Sequence, residues 1–513
     1  MSVLRTILLL GSALPLAACG ADSVGSPGEG VIVVPGTPTP SPSPTPSPSP
    51  TPSPSGPAAS CPTGTTDLGV IANRRNCRIS NDIRGDYRIQ NLAGTIYSFS
   101  GRVNVGVDVG GDGAAAGGQA SRFTIDPGVT LFASSGADFL VVNRGSQIFA
   151  QGTADKPIVF TSRQNIEGTA TDSSTNQWGG IILLGRAPIS NCASAVPGGS
   201  SGCQRLVEGP GANAFYGGDQ AGDSSGVMRY VQIRYTGFSL VEGNELQGLT
   251  TGGVGAGTEI EYIQVHNSGD DGIEIFGGRH NMKHIVITGA DDDSLDTDFG
   301  YKGFIQFLLA IQRDQASGDS GDTMIEADST DDGLFDAVPR QNTRLANFTF
   351  IQRRTGRSAI LLRGGTDYGL YNGVVVGPTN CLDVDTPQTV QAANAGIDEV
   401  GPPVFRSVVF TCPTAFDPDA DAFEDQAFNA AGNSGNNPNF VSTLTDLFVN
   451  GANERGVAPV ANLTSISAFF QNVDYIGAVR DANDTWYRGW TCDSGYAPLG
   501  SGKACTAVPE LNV

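Results

Sequence analysis

Eight acidic side chains lie between Asp270 and Asp298, in the stretch DDGIEIFGGRHNMKHIVITGADDDSLDTD. Clustered carboxylate oxygens are the ligands that Ca²⁺ prefers in proteins. Two carboxyl groups a few ångströms apart can also act as the acid and the base or nucleophile of glycoside hydrolysis. An acidic turn that only keeps the surface soluble has the same composition. The stretch is therefore compatible with a calcium site, a catalytic site or a solvated edge.

The apolar residues around this stretch recur with a spacing of 22 residues (260 to 282, 282 to 304). Short alternating apolar runs separated by Gly, Asp and Asn predict strands, and long helical periodicity is nearly absent. A strand-rich period of this length is typical of one coil of a parallel β-helix. We predict an all-β, single-domain parallel β-helix of roughly 22-residue coils with terminal caps. The repeated triplets are Ile260, Ile263 and Val265, then Met282, Ile285 and Ile287, then Phe304, Phe307 and Leu309.

The same register places residues 270–271 beside residues 292–293 on the next coil, and Ile273 beside Leu295. Neighbouring strands lie about 4.8 Å apart, and like charges at that distance raise the carboxyl pKa values or recruit a cation. Asp296 and Asp298 alternate along a strand, so their side chains point the same way. We predict Ca²⁺ as a cofactor, with the ligands Asp270, Asp271, Asp292, Asp293 and Asp296.

A catalytic role would use the same cluster, with Asp271 and Asp293 as the paired carboxyl groups. A polysaccharide lyase also needs a basic proton acceptor beside its calcium ion. Arg279 and Lys302 are the nearest basic candidates in the sequence. Fold alone does not confer such an activity, so these four residues remain candidates.

Three aromatic residues near the end of the chain, Trp486, Tyr487 and Trp490, allow two interpretations. They can stack on sugar rings, or they can close the end of a β-helix by hiding core that a further coil would cover. We expect the second role, because a Cys492–Cys505 disulfide would lie beside them.

Several phrases carry a family resemblance: IFAQGTADKPIVFTS (148–162), WGGIILLGRAPI (178–189) and DTDFGYKGFIQF (296–307). They resemble a large group of exported bacterial right-handed parallel β-helix lipoproteins with a pectate-lyase-like superfold. The resemblance covers roughly residues 95–492. It implies the architecture and an exported location, and it supplies no catalytic residue.

The first twenty residues, MSVLRTILLLGSALPLAACG, indicate export. One basic residue, Arg5, precedes an apolar run that is too short to span a bilayer. The sequence LAAC resembles the lipobox of bacterial lipoproteins, which implies cleavage before Cys19 and lipidation of its sulfur. Residue 20 is Gly and not the Asp that retains such proteins in the inner membrane, so we expect an outer-membrane lipoprotein.

A stretch of Pro, Ser and Thr follows, from Gly36 to Pro57. Alternating prolines favour polyproline II at about 3.1 Å per residue, which gives a spacer on the order of 60 Å long. We predict a signal peptide (1–18), a lipidated cysteine and linker (19–58), an N-terminal cap (59–100), a β-helix body (101–445) and a C-terminal capping region (446–513).

Eight further cysteines remain, an even number without a CxxC spacing. In an exported chain this favours disulfides over metal thiolates. We predict that sequence neighbours pair, as Cys61–Cys77, Cys192–Cys203, Cys381–Cys412 and Cys492–Cys505.

The net charge of -22 argues against a nucleic-acid partner, whose phosphates the chain would repel. The leading hypothesis is a surface lipoprotein, tied to the outer membrane by its lipid, whose β-helix binds a glycan, an uptake receptor or another envelope component. The alternative is a Ca²⁺-dependent polysaccharide lyase or glycoside hydrolase that uses the cluster between Asp270 and Asp298. Either face of the outer membrane is compatible with the sequence.

Overall fold

The computed structural model describes residues 56–211, 213–240, 245–314, 322–330, 333–418 and 423–509. The predictions for the signal peptide, Cys19 and most of the linker lie outside these residues. Within the described ranges, no helix has the length and apolar character needed to cross a bilayer.

The described residues form 28 strands and two short α-helices, and the alternation of apolar residues with Gly-rich turns explains this strand content. The first strands are β1 (Thr66–Ile71), β2 (Arg74–Arg78), β3 (Asp82–Ile83), β4 (Asp86–Ile89), β5 (Thr95–Phe99), β6 (Arg102–Val105), β7 (Arg122–Ile125), β8 (Thr130–Ala133), β9 (Phe139–Val142), β10 (Gln147–Gln151), β11 (Ile158–Ser162), β12 (Gly180–Leu184), β13 (Arg205–Leu206) and β14 (Phe215–Tyr216). The others are β15 (Gly226–Arg234), β16 (Leu249–Gly252), β17 (Glu259–His266), β18 (Ile273–Phe276), β19 (Asn281–Thr288), β20 (Leu295–Asp298), β21 (Phe304–Ile311), β22 (Ile325–Asp328), β23 (Arg344–Ile351), β24 (Ile360–Arg363), β25 (Gly369–Val376), β26 (Asn380–Val384), β27 (Val404–Thr411) and β28 (Thr414–Phe416). The α-helices are α1 (Arg163–Ile166) and α2 (Phe423–Phe428), and four 3₁₀ turns cover Pro387–Thr389, Ala395–Ile397, Glu454–Gly456 and Leu463–Ser465.

Two long sheets run side by side along the molecule. The 15-stranded sheet follows the order β1-β2-β5-β8-β11-β15-β17-β19-β21-β23-β25-β27, with β4, β7 and β10 joined to it. The 11-stranded sheet follows the order β3-β6-β9-β12-β16-β18-β20-β22-β24-β26-β28. From β15 to β28, successive strands alternate between the two sheets, so each coil contributes one strand to each. Among the described strands, only the pairs β1–β2 and β13–β14 are antiparallel. The prediction of a parallel β-helix is therefore confirmed.

The predicted 22-residue register holds for one step and fails for the next. Ile260 pairs with Met282, and Ile273 pairs with Leu295, as predicted. Met282, however, pairs with Ile305 and not with Phe304. The reason is an extra residue in the connection between β20 and β21, residues 299–303, compared with residues 277–280 one coil earlier. Each residue of the predicted triplet Phe304, Phe307 and Leu309 therefore lies one position before the residue that pairs with the preceding coil.

The inward side chains of both sheets form one continuous apolar core. Ile260, Ile285 and Leu308 from the 15-stranded sheet pack in the same cluster as Ile273 and Leu295 from the 11-stranded sheet. Burial of such side chains stabilises each coil by about 1.5–3 kcal/mol per large apolar residue. This core fixes which side chains of β18, β20 and β22 point outward, and those outward side chains form the site described below.

Each long strand of the 15-stranded sheet bends at one residue with left-handed backbone angles. The residues are in register and stack as a column, and their φ angles lie between 51° and 60°: Tyr230, Tyr262, His284, Phe307, Asn347, Asn372 and Ser407. Non-glycine residues in this conformation cost about 1–2 kcal/mol each. Stacked rings at 4.3 Å between Tyr230 and Tyr262 and 4.3 Å between Tyr262 and His284 offset part of that cost.

The C-terminal segment lies along this column and not over the end of the β-helix. Its backbone bonds to outward-facing amides: Gln264 Nε2 donates to the Cys492 carbonyl at 3.0 Å, and Asn347 Nδ2 donates to the Tyr475 carbonyl at 3.0 Å. Trp490 packs edge-on against Tyr262 with 5.8 Å between ring centroids. The prediction that Trp486, Tyr487 and Trp490 close an end is therefore wrong. Trp486 and Trp490 instead cover the stacked rings of Tyr230, Tyr262 and His284.

A different element covers the last coil. Helix α2 places Phe428 against Phe405, Phe410 and Phe416, with ring centroids 4.9–5.4 Å apart. The four predicted disulfides are all present, and each joins cysteines 11–31 residues apart in sequence.

Candidate functional site

Three adjacent strands of the 11-stranded sheet place acidic side chains in one outward row. Glu274 of β18 pairs with Asp296 of β20, and Asp296 pairs with Glu326 of β22. The preceding residue of each strand, Ile273, Leu295 and Ile325, points into the core. Because strand side chains alternate between faces, the buried apolar residues force the carboxylates outward and into line.

A second row lies two residues further along the same strands. Phe276 pairs with Asp298, and Asp328 pairs with Arg363 of β24. The two rows form the floor of a cleft of about 500 Å³. We call it the acidic cleft, and its lining residues are Arg205, Leu206, Val207, Glu208, Gly211, Tyr216, Glu274, Phe276, Asp296, Asp298, Phe299, Glu326, Asp328 and Arg363.

One wall of the acidic cleft comes from a long excursion between β12 and β15. The excursion carries the β13–β14 hairpin and the Cys192–Cys203 disulfide. Arg205 of β13 lies over the Phe299 ring, with 5.1 Å from the guanidinium carbon to the ring centroid. Tyr216 of β14 stacks on Phe276 at 5.8 Å. The disulfide cross-links the excursion internally, and the two ring contacts hold its hairpin against the sheet.

Two groups of three carboxylates converge at one end of the cleft and share Asp271. In the first group, one oxygen each from Asp271, Glu274 and Asp296 lies within 4.8 Å of the others. The second group joins Asp271 to Asp270 and Asp292 under the same distance limit. Four of the five predicted ligands belong to these groups, and Glu274 is an additional member.

Asp271, which both groups share, and Glu274 are buried, which makes their charges costly. Asp271 and Glu274 are only 7% and 6% exposed. Burial, and then the charge of Asp270, raises the pKa of Asp271 well above its usual range. Burial, and then the charge of Asp296, raises the pKa of Glu274 well above its usual range. Burial, and then Asp298, does the same to Asp296.

Two oxygens in this group have no hydrogen-bond partner among the described residues. They are Glu274 Oε2 and Asp296 Oδ1, and both are buried. A buried acceptor without a partner costs about 1–3 kcal/mol, and more when it is charged. The group must therefore hold protons or a cation, and carboxylate oxygens alone suit a hard divalent cation such as Ca²⁺.

Asp293, the fifth predicted ligand, is absent from both converging groups. Its Oδ1 accepts hydrogen bonds from the Thr323 backbone N–H at 2.6 Å and from the Thr323 hydroxyl at 2.7 Å. Its own backbone N–H donates to Asp271 Oδ1 at 2.9 Å. The Asp293 carboxylate thus accepts the hydrogen bonds that Thr323 donates at the start of the next coil.

The two basic candidates named from sequence proximity do not line the acidic cleft. The Arg279 guanidinium donates to the Gly300 carbonyl at 2.9 Å, and the Lys302 ammonium pairs with Asp398. The cationic groups that line the cleft are Arg205 and Arg363. Arg363 pairs with Glu326 and, at 2.8 Å, with Asp328.

Several residues that line the acidic cleft were not predicted from the sequence, although the pattern of the strands could have identified them. The strand sequences IEIF (273–276), LDTD (295–298) and IEAD (325–328) align by their alternation alone. That alignment identifies Glu274, Glu326 and Asp328 as outward neighbours of Asp296 and Asp298. Arg205 and Arg363 carry no comparable signal, because loops of irregular length separate them from the acidic stretch.

Comparison with known families gives one match. Residues 112–452 match the family model described as "Pectate-lyase like beta helix domain". The matched range includes both groups of converging carboxylates and the whole acidic cleft. No curated protein and no solved structure matches this chain at a significant level.

Proposed function

Because this chain belongs to the family of pectate-lyase-like β-helix domains, we propose that it is a carbohydrate-binding lipoprotein of the bacterial outer membrane. The ligand site is the acidic cleft, and the cofactor is Ca²⁺ held at its end. The family membership supports a carbohydrate-related role, and the cleft supplies the carboxylates and aromatic rings for it.

One observation carries the cofactor proposal: Glu274 Oε2 and Asp296 Oδ1 are buried without hydrogen-bond partners in the described part of the chain. Glu274, Asp296 and Asp271 each offer one carboxylate oxygen that lies within 4.8 Å of the other two. A divalent cation at this position neutralises charges that otherwise repel. The second group, Asp270, Asp271 and Asp292, extends the same oxygen-rich surface.

A bound cation also gives the cleft a means of holding sugars. Its acidic lining repels anionic glycans, whereas Ca²⁺ accepts further oxygen ligands from hydroxyl or carboxylate groups. The rings of Tyr216, Phe276 and Phe299 stack in series, with centroids 5.6–5.8 Å apart, and give the cleft an apolar end. This combination of a cation and aromatic rings suits a polar ring with an apolar face.

The outer-membrane location rests on the sequence. The short apolar run and the LAAC sequence support export and lipidation at Cys19. From its sequence, we expect the Pro-rich linker to act as an extended spacer between the lipidated cysteine and the β-helix.

Catalysis is the second candidate, and the same carboxylates support it. Retaining glycosidases place two carboxyl groups about 5–5.5 Å apart, with one of them protonated. Oxygens of Glu274 and Asp296 lie within 4.8 Å, and burial together with the charge of Asp296 raises the pKa of Glu274. Burial and the charge of Asp298 raise the pKa of Asp296 as well, so a glycoside hydrolase with Glu274 as the acid and Asp296 as the nucleophile needs a positive charge beside Asp296 to keep it ionised.

A glycan array with product detection separates the two candidates. The full chain, purified in detergent, is applied with Ca²⁺ or with a chelator, beside the variants E274Q/D296N and D112N/D155N. The second variant is the matched control, because Asp112 and Asp155 are exposed turn residues. We expect Ca²⁺-dependent binding that E274Q/D296N loses, with no cleaved product. Cleavage that only E274Q/D296N abolishes would establish the enzyme instead, and binding to no glycan would overturn the carbohydrate role.

A further inference from the structure

A second polar cavity lies between the 15-stranded sheet and the C-terminal segment. Its lining differs in chemical character from that of the acidic cleft. Strands β8, β11 and β15 form its floor, and residues 502–509 form its roof. Its volume is about 180 Å³. A water molecule takes up about 30 Å³ of liquid volume, so the cavity has room for one small ion and a few waters.

The floor of this cavity carries a buried cation, Arg234, which is 4% exposed. Its Nε donates to Gln232 Oε1 at 2.8 Å, its Nη1 donates to the Cys505 carbonyl at 3.0 Å, and its Nη2 also donates to Gln232. These three bonds use three of the five guanidinium N–H groups. Every acceptor is a neutral oxygen.

Arg234 differs in this respect from two other buried arginines, Arg340 and Arg144. Arg340 pairs with Asp367 at 3.1 Å, and Arg144 pairs with Asp108 at 2.6 Å. Among the described residues, no carboxylate lies within 4.0 Å of the Arg234 guanidinium. Taking an unpaired charge out of water costs several kcal/mol, and proteins normally offset this cost with a counter-charge.

A second basic side chain lines the same cavity. Lys503 belongs to the roof, and Gln232 offers its amide from the floor beside Arg234. The cavity thus combines two cations and an amide in a chain whose net charge is -22. A planar guanidinium with free N–H groups is well suited to the oxygens of phosphate or sulfate.

We propose that this cavity binds a small oxyanion of the phosphate or sulfate class, with Arg234 as its direct ligand and Lys503 at its rim. The bound anion neutralises Arg234 and ties residues 502–509 to strand β15. This site is independent of the carbohydrate-binding proposal, because the two cavities share no lining residue.

The test is thermal unfolding of the full chain, in chelator, with increasing inorganic phosphate or sulfate against chloride at equal ionic strength. At a hundredfold excess over Kd, phosphate should raise Tm by roughly 3 °C. R234Q should lose this response, and K503Q should need about tenfold more phosphate for it. R357Q is the matched control, because Arg357 is exposed and lines neither cavity, and it should respond like the native chain.

Two results would overturn the proposal. The first is a native chain whose Tm responds no more to phosphate or sulfate than to chloride. The second is an unchanged phosphate response in K503Q, which keeps the proposal testable if R234Q does not fold.

Discussion

Glu274 of β18 and Asp296 of β20 lie side by side in parallel register, and each has a buried oxygen without a hydrogen-bond partner in the described part of the chain. Two adjacent buried carboxylates destabilise the fold unless a proton or a cation offsets their repulsion. The arrangement therefore couples the stability of the β-helix to pH and to divalent cations.

The first prediction concerns pH in the absence of a cation. Burial and neighbouring charges raise the pKa values of Glu274 and Asp296 above the ordinary values of 4.5 and 3.8. The folded state therefore keeps protons that the unfolded chain releases, so these residues lower stability progressively as pH rises above about 4. In chelator, E274Q/D296N should have a higher Tm than the native chain at pH 8, and the difference should vanish near pH 4.

In saturating Ca²⁺ at pH 8, the native chain should have a higher Tm than E274Q/D296N, because only the native chain binds the ion. Melting curves at several pH values, with and without Ca²⁺, measure both effects. A native chain that is as stable as E274Q/D296N in chelator at every pH would show that the two carboxylates do not repel each other.

A second prediction concerns Arg363, whose guanidinium pairs with Glu326 and Asp328 in the acidic cleft. R363Q removes a positive charge near the proposed cation. Its Ca²⁺ affinity should rise by about tenfold, equivalent to about 1.4 kcal/mol, in calorimetric titration. R84Q, which removes an exposed arginine outside the cleft, should leave the affinity unchanged. A weaker affinity in R363Q would mean that Arg363 shapes the site and does not compete with the cation.

A third prediction concerns the attachment of the C-terminal segment. Trp490 is 1% exposed, packs against Tyr230 and Tyr262, and donates a 2.7 Å hydrogen bond from Nε1 to the Trp486 carbonyl. W490A should lower the free energy of unfolding by about 3–5 kcal/mol in denaturant titration. W486A should lower the free energy of unfolding by less, because Trp486 is only partly buried. Equal and small losses in both variants would contradict the structural role given to Trp490.

A fourth prediction concerns the anchor. C19A should leave the chain in the soluble fraction after cell breakage, whereas the native chain should sediment with outer membranes and dissolve only in detergent. Fractionation with immunodetection measures both. A C19A chain that still sediments with outer membranes would refute lipidation at Cys19 as the means of attachment.

Much of the fold follows from spacing alone. The pairing of Ile260 with Met282 and of Ile273 with Leu295 was predictable, because identical coil lengths repeat the same apolar positions. The next coil breaks this rule, since Leu295 pairs with Ile325, thirty residues on (295 to 325). Loop length between strands is not fixed by core packing, so register cannot be extrapolated across an insertion.

The site was predictable in part for the same reason. Four of the five expected ligands belong to the converging groups, because they lie on coils with the simple spacing. Arg205 reaches the cleft from a separate excursion, and Arg363 reaches it from a coil beyond an insertion. The left-handed backbone of Tyr230 and His284 was also unpredictable, since aromatic residues rarely adopt it and the rings that stack on them belong to neighbouring coils.

Calorimetric titration of Ca²⁺ into the chelator-stripped full chain tests the central claim most directly, at pH 7 and beside E274Q/D296N and D112N/D155N. The native chain and the control should bind Ca²⁺ saturably with the same affinity, and E274Q/D296N should bind at least about a hundredfold more weakly, because two of the converging ligands lose their charge. Absence of saturable binding to the native chain, or equal affinity in E274Q/D296N, would contradict the assignment of the acidic cleft as a calcium site.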